Sequence, residues 1–373
     1  MKLSVLQENL NLALTVVSRF VAAKSQLPLL GHILFSTDSG RLKLSATNLE
    51  LGINYWLGAK IDLDGSFTVP NHDIAEFISY LSPGRLDLSL VDNLLEIVSS
   101  TASSTFSTTP STDFPLLPLI DSKSAITLDA KILSEVIDQI TFAAATDDSR
   151  PILTAVLCRF TSDVLFLVAT DGFRLSLKQI KLITPITLPE KSESLTLLIP
   201  ARSLQEVAKL AKTSQQLSLG VSSDSHQLIF VLEDLELVSR LLEGDYPDYN
   251  RIIPGSYATK ITLNKEDLSQ AVKIASVFAR QSANVIKLNI KNSLIEISAN
   301  APQIGKNSVK LDAKLIGDPL EIAFNYKFIT DFLAVCRGSE ISLELNDSLT
   351  PVRFQDLSDS DFTHIIMPVR IQD

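Results

Sequence analysis

Short apolar runs that give way to helical spacing recur three times along the chain. The first reads Leu3-Ser4-Val5 and continues with Leu10, Leu14 and Val17. The second reads Ile126-Thr127-Leu128 with Leu133, Ile137 and Ile140, and the third Ile261-Thr262-Leu263 with Leu268, Val272 and Ala275. Steps of four and then three put each trio on one face of a helix. A second such passage follows later in each copy. Phe67-Thr68-Val69-Pro70 leads into Ile74, Phe77, Ile78 and Leu81; Leu197-Leu198-Ile199-Pro200 leads into Leu204, Val207, Ala208 and Ala211; Glu321-Ile322-Ala323-Phe324 leads into Phe328, Phe332 and Val335. Pro70 and Pro200 stand just ahead of their helices, where a missing N–H costs little.

Between the helices the period changes to two. Ile33-Leu34-Phe35 and Leu42-Lys43-Leu44 flank Asp38-Ser39-Gly40, and Leu165–Val168 and Leu294–Ile297 are the matching second strands. After each second helix come Leu86–Leu88 with Leu95–Ile97, Leu217–Leu219 with Leu228–Phe230, and Ile341–Leu343 with Val352–Phe354. Alternation bounded by Asp, Asn, Ser and Gly predicts antiparallel hairpins. Each copy is then helix, strands, helix, strands, itself a doubled unit, and the fold class is α+β with three similar domains. Two proline-bearing connectors, Thr108 to Ser124 and Gly244 to Thr259, separate the copies, which places the domains at 1–120, 121–253 and 254–373.

The middle copy holds Val168-Ala169-Thr170-Asp171-Gly172-Phe173-Arg174-Leu175. Its opening is echoed by Ser45-Ala46-Thr47-Asn48 and Ser298-Ala299-Asn300, but Asp171-Gly172-Phe173-Arg174 has no counterpart in either. What the copies share predicts fold, and what only the middle copy carries is the candidate for function.

Composition narrows the class. Hydrophobic residues make up 45% and charged residues 20%, as in a soluble globular protein. Two cysteines, Cys158 and Cys336, give no disulfide framework and fit a reducing compartment. The start, Met1-Lys2-Leu3-Ser4, lacks the pattern of a signal peptide, and no apolar run approaches the roughly 18 residues of a membrane span. A cytoplasmic protein without membrane contact is expected. The net charge is −10, yet basic and acidic residues nearly cancel inside the six helical windows. The deficit therefore lies in the rest of the chain, which suggests a helical surface able to face a polyanion; the alternative is that small helical windows scatter around neutral.

No chemistry of catalysis emerges. There is no GxxxxGK loop and no GxGxxG after a strand. His32, His72, His226 and His364 are isolated, without metal-ligand spacing. Asp147-Asp148 and Asp359-Ser360-Asp361 are the densest carboxylates, and a metal-dependent nucleotidyltransferase using Asp147, Asp148 or Asp171 is the enzymatic alternative. Acidic loop tips are the commoner explanation, and neither cofactor nor metal is expected.

Four motifs in order resemble the bacterial DNA sliding clamp, the beta subunit of DNA polymerase III. They are Arg150–Thr154, Ala169–Leu175, Glu243–Tyr249 and Met367–Ile371, and the likeness extends over the whole chain. The resemblance implies a closed ring, formed as a head-to-tail homodimer with helices lining the hole. It implies a non-catalytic processivity factor that encircles duplex DNA without sequence preference. It also implies a pocket between the second and third domains that takes short extended peptides from the replicative polymerase, the clamp loader and repair proteins. The alternative is a β-rich scaffold that binds proteins and never surrounds DNA.

The family's pocket residues carry over onto Leu153, onto Thr170 and Gly172, Phe173, Arg174 and Leu175, and onto Pro247, Arg251 and Ile252. At the C-terminus they carry over onto Ile365, Met367, Pro368, Val369, Arg370 and Ile371. Apolar walls with a few polar groups suit a peptide, and Met367 can adapt to different partners. Phe173 stands where many relatives have histidine, which makes that wall more apolar. Lys24 and Arg150 match basic positions of the family, and Arg202, Lys209 and Lys212 are the further DNA-facing candidates. For the dimer contact the resemblance points to Phe106 against Val277 and Phe278.

Overall fold

Six α-helices form among the described residues: α1 Gln7–Val17, α2 Asn71–Tyr80, α3 Ala130–Ile140, α4 Ala201–Ala211, α5 Lys265–Ala279 and α6 Tyr326–Val335. These belong to a computed structural model that describes the chain except residues 23–25, 119–125, 148, 183–184, 187–192, 223–225, 292 and 371–373. Lys24, Asp148 and Ile371 lie outside the described residues. The spacing located the helices well. Leu10, Leu14 and Val17 are buried on α1, and Leu268, Val272 and Ala275 on α5. Side-chain caps open α5 and α6. The Asn264 side chain accepts from the amides of Glu266 and Asp267, and that of Asn325 from the amide of Lys327.

The expected hairpins are present, and each half-copy carries one further strand that extends them. These are Leu51–Leu57, Ser103–Ser107, Arg174–Lys181, Leu235–Arg240, Gly305–Asp312 and Phe362–Ile366. The extra strands let sheets run from one copy into the next. An eight-stranded antiparallel sheet joins the first and second copies where Leu235–Arg240 pairs with Leu51–Leu57, with Val238 opposite Gly52. A nine-stranded sheet joins the second and third copies where Arg174–Lys181 pairs with Phe362–Ile366, with Leu175 opposite Ile365. Pairing of this kind leaves no mark on local periodicity, because a strand's partner can lie anywhere in the sequence.

The chain divides into two compact units that follow these sheets and cut through the second repeat copy. One comprises residues 1–131 and 210–241 and holds the eight-stranded sheet with a five-stranded sheet. In it α1 packs on the strands Arg41–Thr47 and Leu51–Leu57. The other comprises 132–209 and 242–373 and holds the nine-stranded sheet with a four-stranded sheet. In it α5 packs on Leu294–Ala301 and Gly305–Asp312. Both smaller sheets end on a strand with one open edge, Ser103–Ser107 in the first unit and Gly305–Asp312 in the second. No helix among the described residues is long and apolar enough to cross a membrane.

Candidate peptide-docking groove

The groove is organised by the turn after Thr170. The Thr170 Oγ1 accepts from the Gly172 amide at 3.0 Å and donates to the Arg174 carbonyl at 2.6 Å. The Asp171 Oδ1 accepts from the amides of Phe173 and Arg174, at 2.9 and 3.0 Å. An aspartate that caps the amides two and three residues on builds a turn without backbone partners. Gly172 has φ +89, and a Cβ there would come within 2.6 Å of the Arg150 Nη1. The positive φ favours glycine, and any larger residue would have to push the Arg150 guanidinium aside. Arg150 is drawn against this turn: its Nη2 donates to the Asp171 carbonyl at 2.8 Å, and its guanidinium lies 6.0 Å from the centre of the Phe173 ring. Phe173 itself is left 58% exposed, a large apolar side chain presented at the rim.

Behind the turn lies an apolar cluster. Leu175 and Leu177 of the strand Arg174–Lys181 meet Ile365 of the neighbouring strand, with Leu157, Val168, Leu198 and Tyr249. Tyr246, Ile252 and Ile253 from the connector, with Ile152 and Leu242, pack on this cluster and stay partly open. The connector is tied down by the Leu242 amide, which donates to the Leu198 carbonyl at 2.9 Å, and by the Tyr246 hydroxyl, 3.4 Å from the Val168 carbonyl. Burial pushes the Tyr246 phenol far above its ordinary pKa, so it acts as a neutral donor. The C-terminal tail closes the side: the Met367 amide donates to the Phe173 carbonyl at 2.9 Å, and the Val369 amide to the Ala323 carbonyl at 2.8 Å.

The structure thus brings together Thr170, Gly172, Phe173, Leu175, Ile252, Ile365 and Met367. Pro368 and Val369 continue the tail half-buried, and Arg370 is exposed beside them. Pro247 is exposed on the connector, and Arg251 is exposed and paired with Asp248 at 3.0 Å. Leu153 is buried in the turn of Pro151–Thr154. Arg174 faces the other way. Its Nε meets Asp171 at 3.0 Å, its Nη1 meets Asp331 at 2.6 Å, and its Nη2 donates to the Phe142 carbonyl at 2.7 Å. Every nitrogen of its guanidinium is engaged within the chain, and the side chain is 11% exposed. Arg150, expected from its family match to face DNA, stands at the groove turn.

The remaining candidates lie elsewhere. Arg202 and Lys209 are exposed two turns apart on α4, with Lys209 paired to Glu206 at 2.6 Å, and Lys212 follows the helix. Phe106 sits half-buried on the open edge strand, edge-on to Phe77 at 5.2 Å. Val277 is 55% exposed on α5, and Phe278 is half-buried beside it. The Asp147 carboxylate accepts from the Ser149 amide at 3.0 Å, which makes it a turn cap. Sequence reading missed Arg150 as a groove residue and Leu157, Leu177 and Leu198 as its floor. The alternation of Arg174-Leu175-Ser176-Leu177-Lys178 held that signal, because it sends the two leucines to one face.

Repeated helix-and-sheet halves, sheets continuous across the joins, and an apolar groove at the second join define a three-domain clamp fold. Family models for the N-terminal, central and C-terminal domains of the DNA polymerase III beta subunit match residues 1–118, 127–248 and 250–370. The beta sliding clamp of Synechococcus elongatus is 30% identical over 379 residues, covering 100% of both chains. The crystal structure of the DNA polymerase sliding clamp from Bacillus subtilis superposes with a TM-score of 0.94 at 28% identity, and that of the DNA polymerase III beta subunit from Thermotoga maritima with 0.91 at 28%. Each alignment covers 100% of both chains. The chain belongs to the beta sliding clamp family, the beta subunit of DNA polymerase III.

One prediction arises from the turn itself. Gly172→Val is expected to weaken binding of a partner peptide about fivefold or more, since strain of about 1–3 kcal/mol at positive φ reshapes the turn and displaces Arg150. Fluorescence anisotropy with a labelled peptide would check it, and unchanged affinity would separate the turn from docking.

Proposed function

We propose that this chain is a non-catalytic DNA sliding clamp: two copies close head to tail around duplex DNA, and the groove tethers the replicative polymerase, the clamp loader and repair proteins. The observation that carries this reading is the full-length match to sliding clamps combined with an intact apolar groove at Phe173, Leu175 and Ile365. A groove of this make takes extended peptides by their apolar anchors. The tether raises the local concentration of polymerase at the primer end. The work is done in the cytoplasm, where the DNA is.

Closure is supported by the two open strand edges. Ser103–Ser107 belongs to the first copy and Gly305–Asp312 to the third, so the two are different surfaces. Contacts between unlike surfaces build rings when the rotation closes, and pairing removes both edges from water. Phe106, Val277 and Phe278 supply apolar area beside these edges. One repeat copy per domain, 1–120, 121–253 and 254–373, fits the family-model limits, whose gaps fall at the connectors.

DNA would be met through phosphates, with Lys24, Arg150, Arg202, Lys209 and Lys212 as candidates. Net charge −10 keeps such contacts weak, as sliding requires, so retention is topological. The test is to load the protein on nicked circular DNA and then linearise it. Protein is expected to run off the free ends within the assay, while circular DNA keeps it. Equal retention on both forms would sink the ring.

A further inference from the structure

The strand Arg174–Lys181 turns Leu175 and Leu177 toward the groove and Arg174, Ser176 and Lys178 toward the helices. Along that second face stand three polar pairs. Each joins a second-copy side chain to a third-copy one: Arg174 with Asp331, Ser176 with His364, and Lys178 with Asp359. Only the first pair also reaches the docking turn.

Asp331 lies on α6. Its Oδ2 is 2.6 Å from the Arg174 Nη1. The guanidinium is held between two rings, 5.4 Å from the centre of Phe142 and 4.7 Å from that of Phe328. Its Nε binds the Asp171 Oδ2, and the other oxygen of that carboxylate holds the amides of Phe173 and Arg174. A continuous chain of charge-assisted bonds thus runs from Asp331 through Arg174 and Asp171 to the backbone of Phe173. The two rings fix the plane of the guanidinium, while Asp331, with Asp171 and the Phe142 carbonyl, fixes its rotation within that plane.

We propose that Asp331 is a positioning residue for partner docking: acting through Arg174, it holds the Asp171–Phe173 turn, and so the Phe173 ring, where a peptide can use it. It touches no peptide itself. The proposal rests on the groove being the partner site. Asp331 is 43% exposed, and an ion pair of that kind contributes little to global stability. Its removal should therefore spare the fold and show at the groove.

The test uses the full-length dimer and a fluorescein-labelled extended peptide carrying leucine and phenylalanine anchors. Asp331→Ala is expected to weaken binding about fivefold, the size of coupling carried by a packed network. Asp331→Asn, which keeps an acceptor, is expected to retain most of the affinity. In an Arg174→Gln background, Asp331→Ala should cause no further loss. Thermal midpoint and dimer mass should stay at wild-type values in both Asp331 variants. If Asp331→Ala binds like wild type while Phe173→Ala does not, the inference fails and the groove stands. An equal loss in the Arg174→Gln background also overturns it, since Asp331 would then act by another route. If wild type fails to bind the peptide, the groove reading and the inference fall together.

Discussion

Lys178→Ala is expected to lower the unfolding free energy by about 3–5 kcal/mol, the usual cost of stranding one partner of a buried ion pair. The Lys178 Nζ lies 2.6 Å from the Asp359 Oδ2, and the two side chains are 11% and 15% exposed. Asp359 also accepts from the Gln139 Nε2 at 3.2 Å. Without the lysine a carboxylate is left in a poorly hydrated place with one amide donor. The strand Arg174–Lys181 would lose its side-chain fastening to the loop before Phe362–Ile366 and keep only the Gln179 amide on the Asp361 carbonyl. Urea unfolding measures the loss. The double variant Lys178→Met with Asp359→Leu should recover most of it, because two apolar residues leave no charge behind. A double variant as unstable as the single one would mean that packing, and not the stranded charge, sets the cost.

That pair illustrates how much of the molecule can be read from its sequence. Six helices and their hairpins follow from period and punctuation, because each is a local pattern with a buried face. The sheet joins are not local. Arg174, Ser176 and Lys178 look like the solvent side of a strand, and only the third-copy elements above them turn that side into an interior. A buried lysine is rare enough that its partner has to be seen before its burial can be argued. The groove was half legible for the same reason. Gly172 and Phe173 stand out in the chain, whereas Leu157, Leu177 and Leu198 are indistinguishable from core until the neighbouring strand is placed.

The comparison of copies also needs refinement. The docking turn was expected to be peculiar to the middle copy, but its hydrogen bonding recurs in the first. The Asn48 Oδ1 accepts from the amides of Glu50 and Leu51, at 3.0 and 2.8 Å, and the Thr47 Oγ1 accepts from the Leu49 amide at 3.0 Å. Asparagine does the work of Asp171, and Leu49 takes the positive φ of Gly172. What differs is the surface that the turn serves. In register, Gly52 takes the place of Leu175, Asn54 that of Leu177 and Ser45 that of Val168. Ser45 and Asn54 bond to each other at 2.7 Å, and the Leu117 side chain lies where a Cβ on Gly52 would sit, 2.5 Å from its Cδ2. The first join is polar and filled by its own connector; the second is apolar and left open. The shared turn is a device of the fold, and what sets the second join apart is the exposed Phe173 and the leucines behind the turn.

Acid is expected to destabilise the clamp well before its carboxylates titrate, and His364 is the chief reason. The imidazole is fully buried, 5.3 Å from the Phe332 ring centre and nearly parallel to it, with Phe142 at the same distance. Its Nδ1 is 2.8 Å from the Ser176 Oγ, and its Nε2 has no partner. Burial, aided by the positive charge of Arg174, lowers its pKa from 6.5 to about 3. The folded chain therefore keeps this histidine neutral while the unfolded chain protonates it. Stability from this group is complete above pH 6.5 and is lost as pH falls toward 3, at about 1.4 kcal/mol per pH unit in between. Between pH 6 and 4 the loss amounts to roughly 2.5 kcal/mol. His32, lowered by partial burial, adds a smaller slope of the same sign. Asp356 enters only at lower pH: burial works to raise its pKa, but bonds from the Gly338 amide, Ser358 and the Arg337 amide outweigh it and keep it below the usual carboxylate range. His364→Gln, which still offers Ser176 an acceptor, should flatten most of the profile between pH 6 and 4, leaving the shallow slope of His32 and an opposing one from Glu236, which burial raises. Unfolding free energies measured across that window decide the matter, and an unchanged slope in the variant would move the acid sensitivity to other groups.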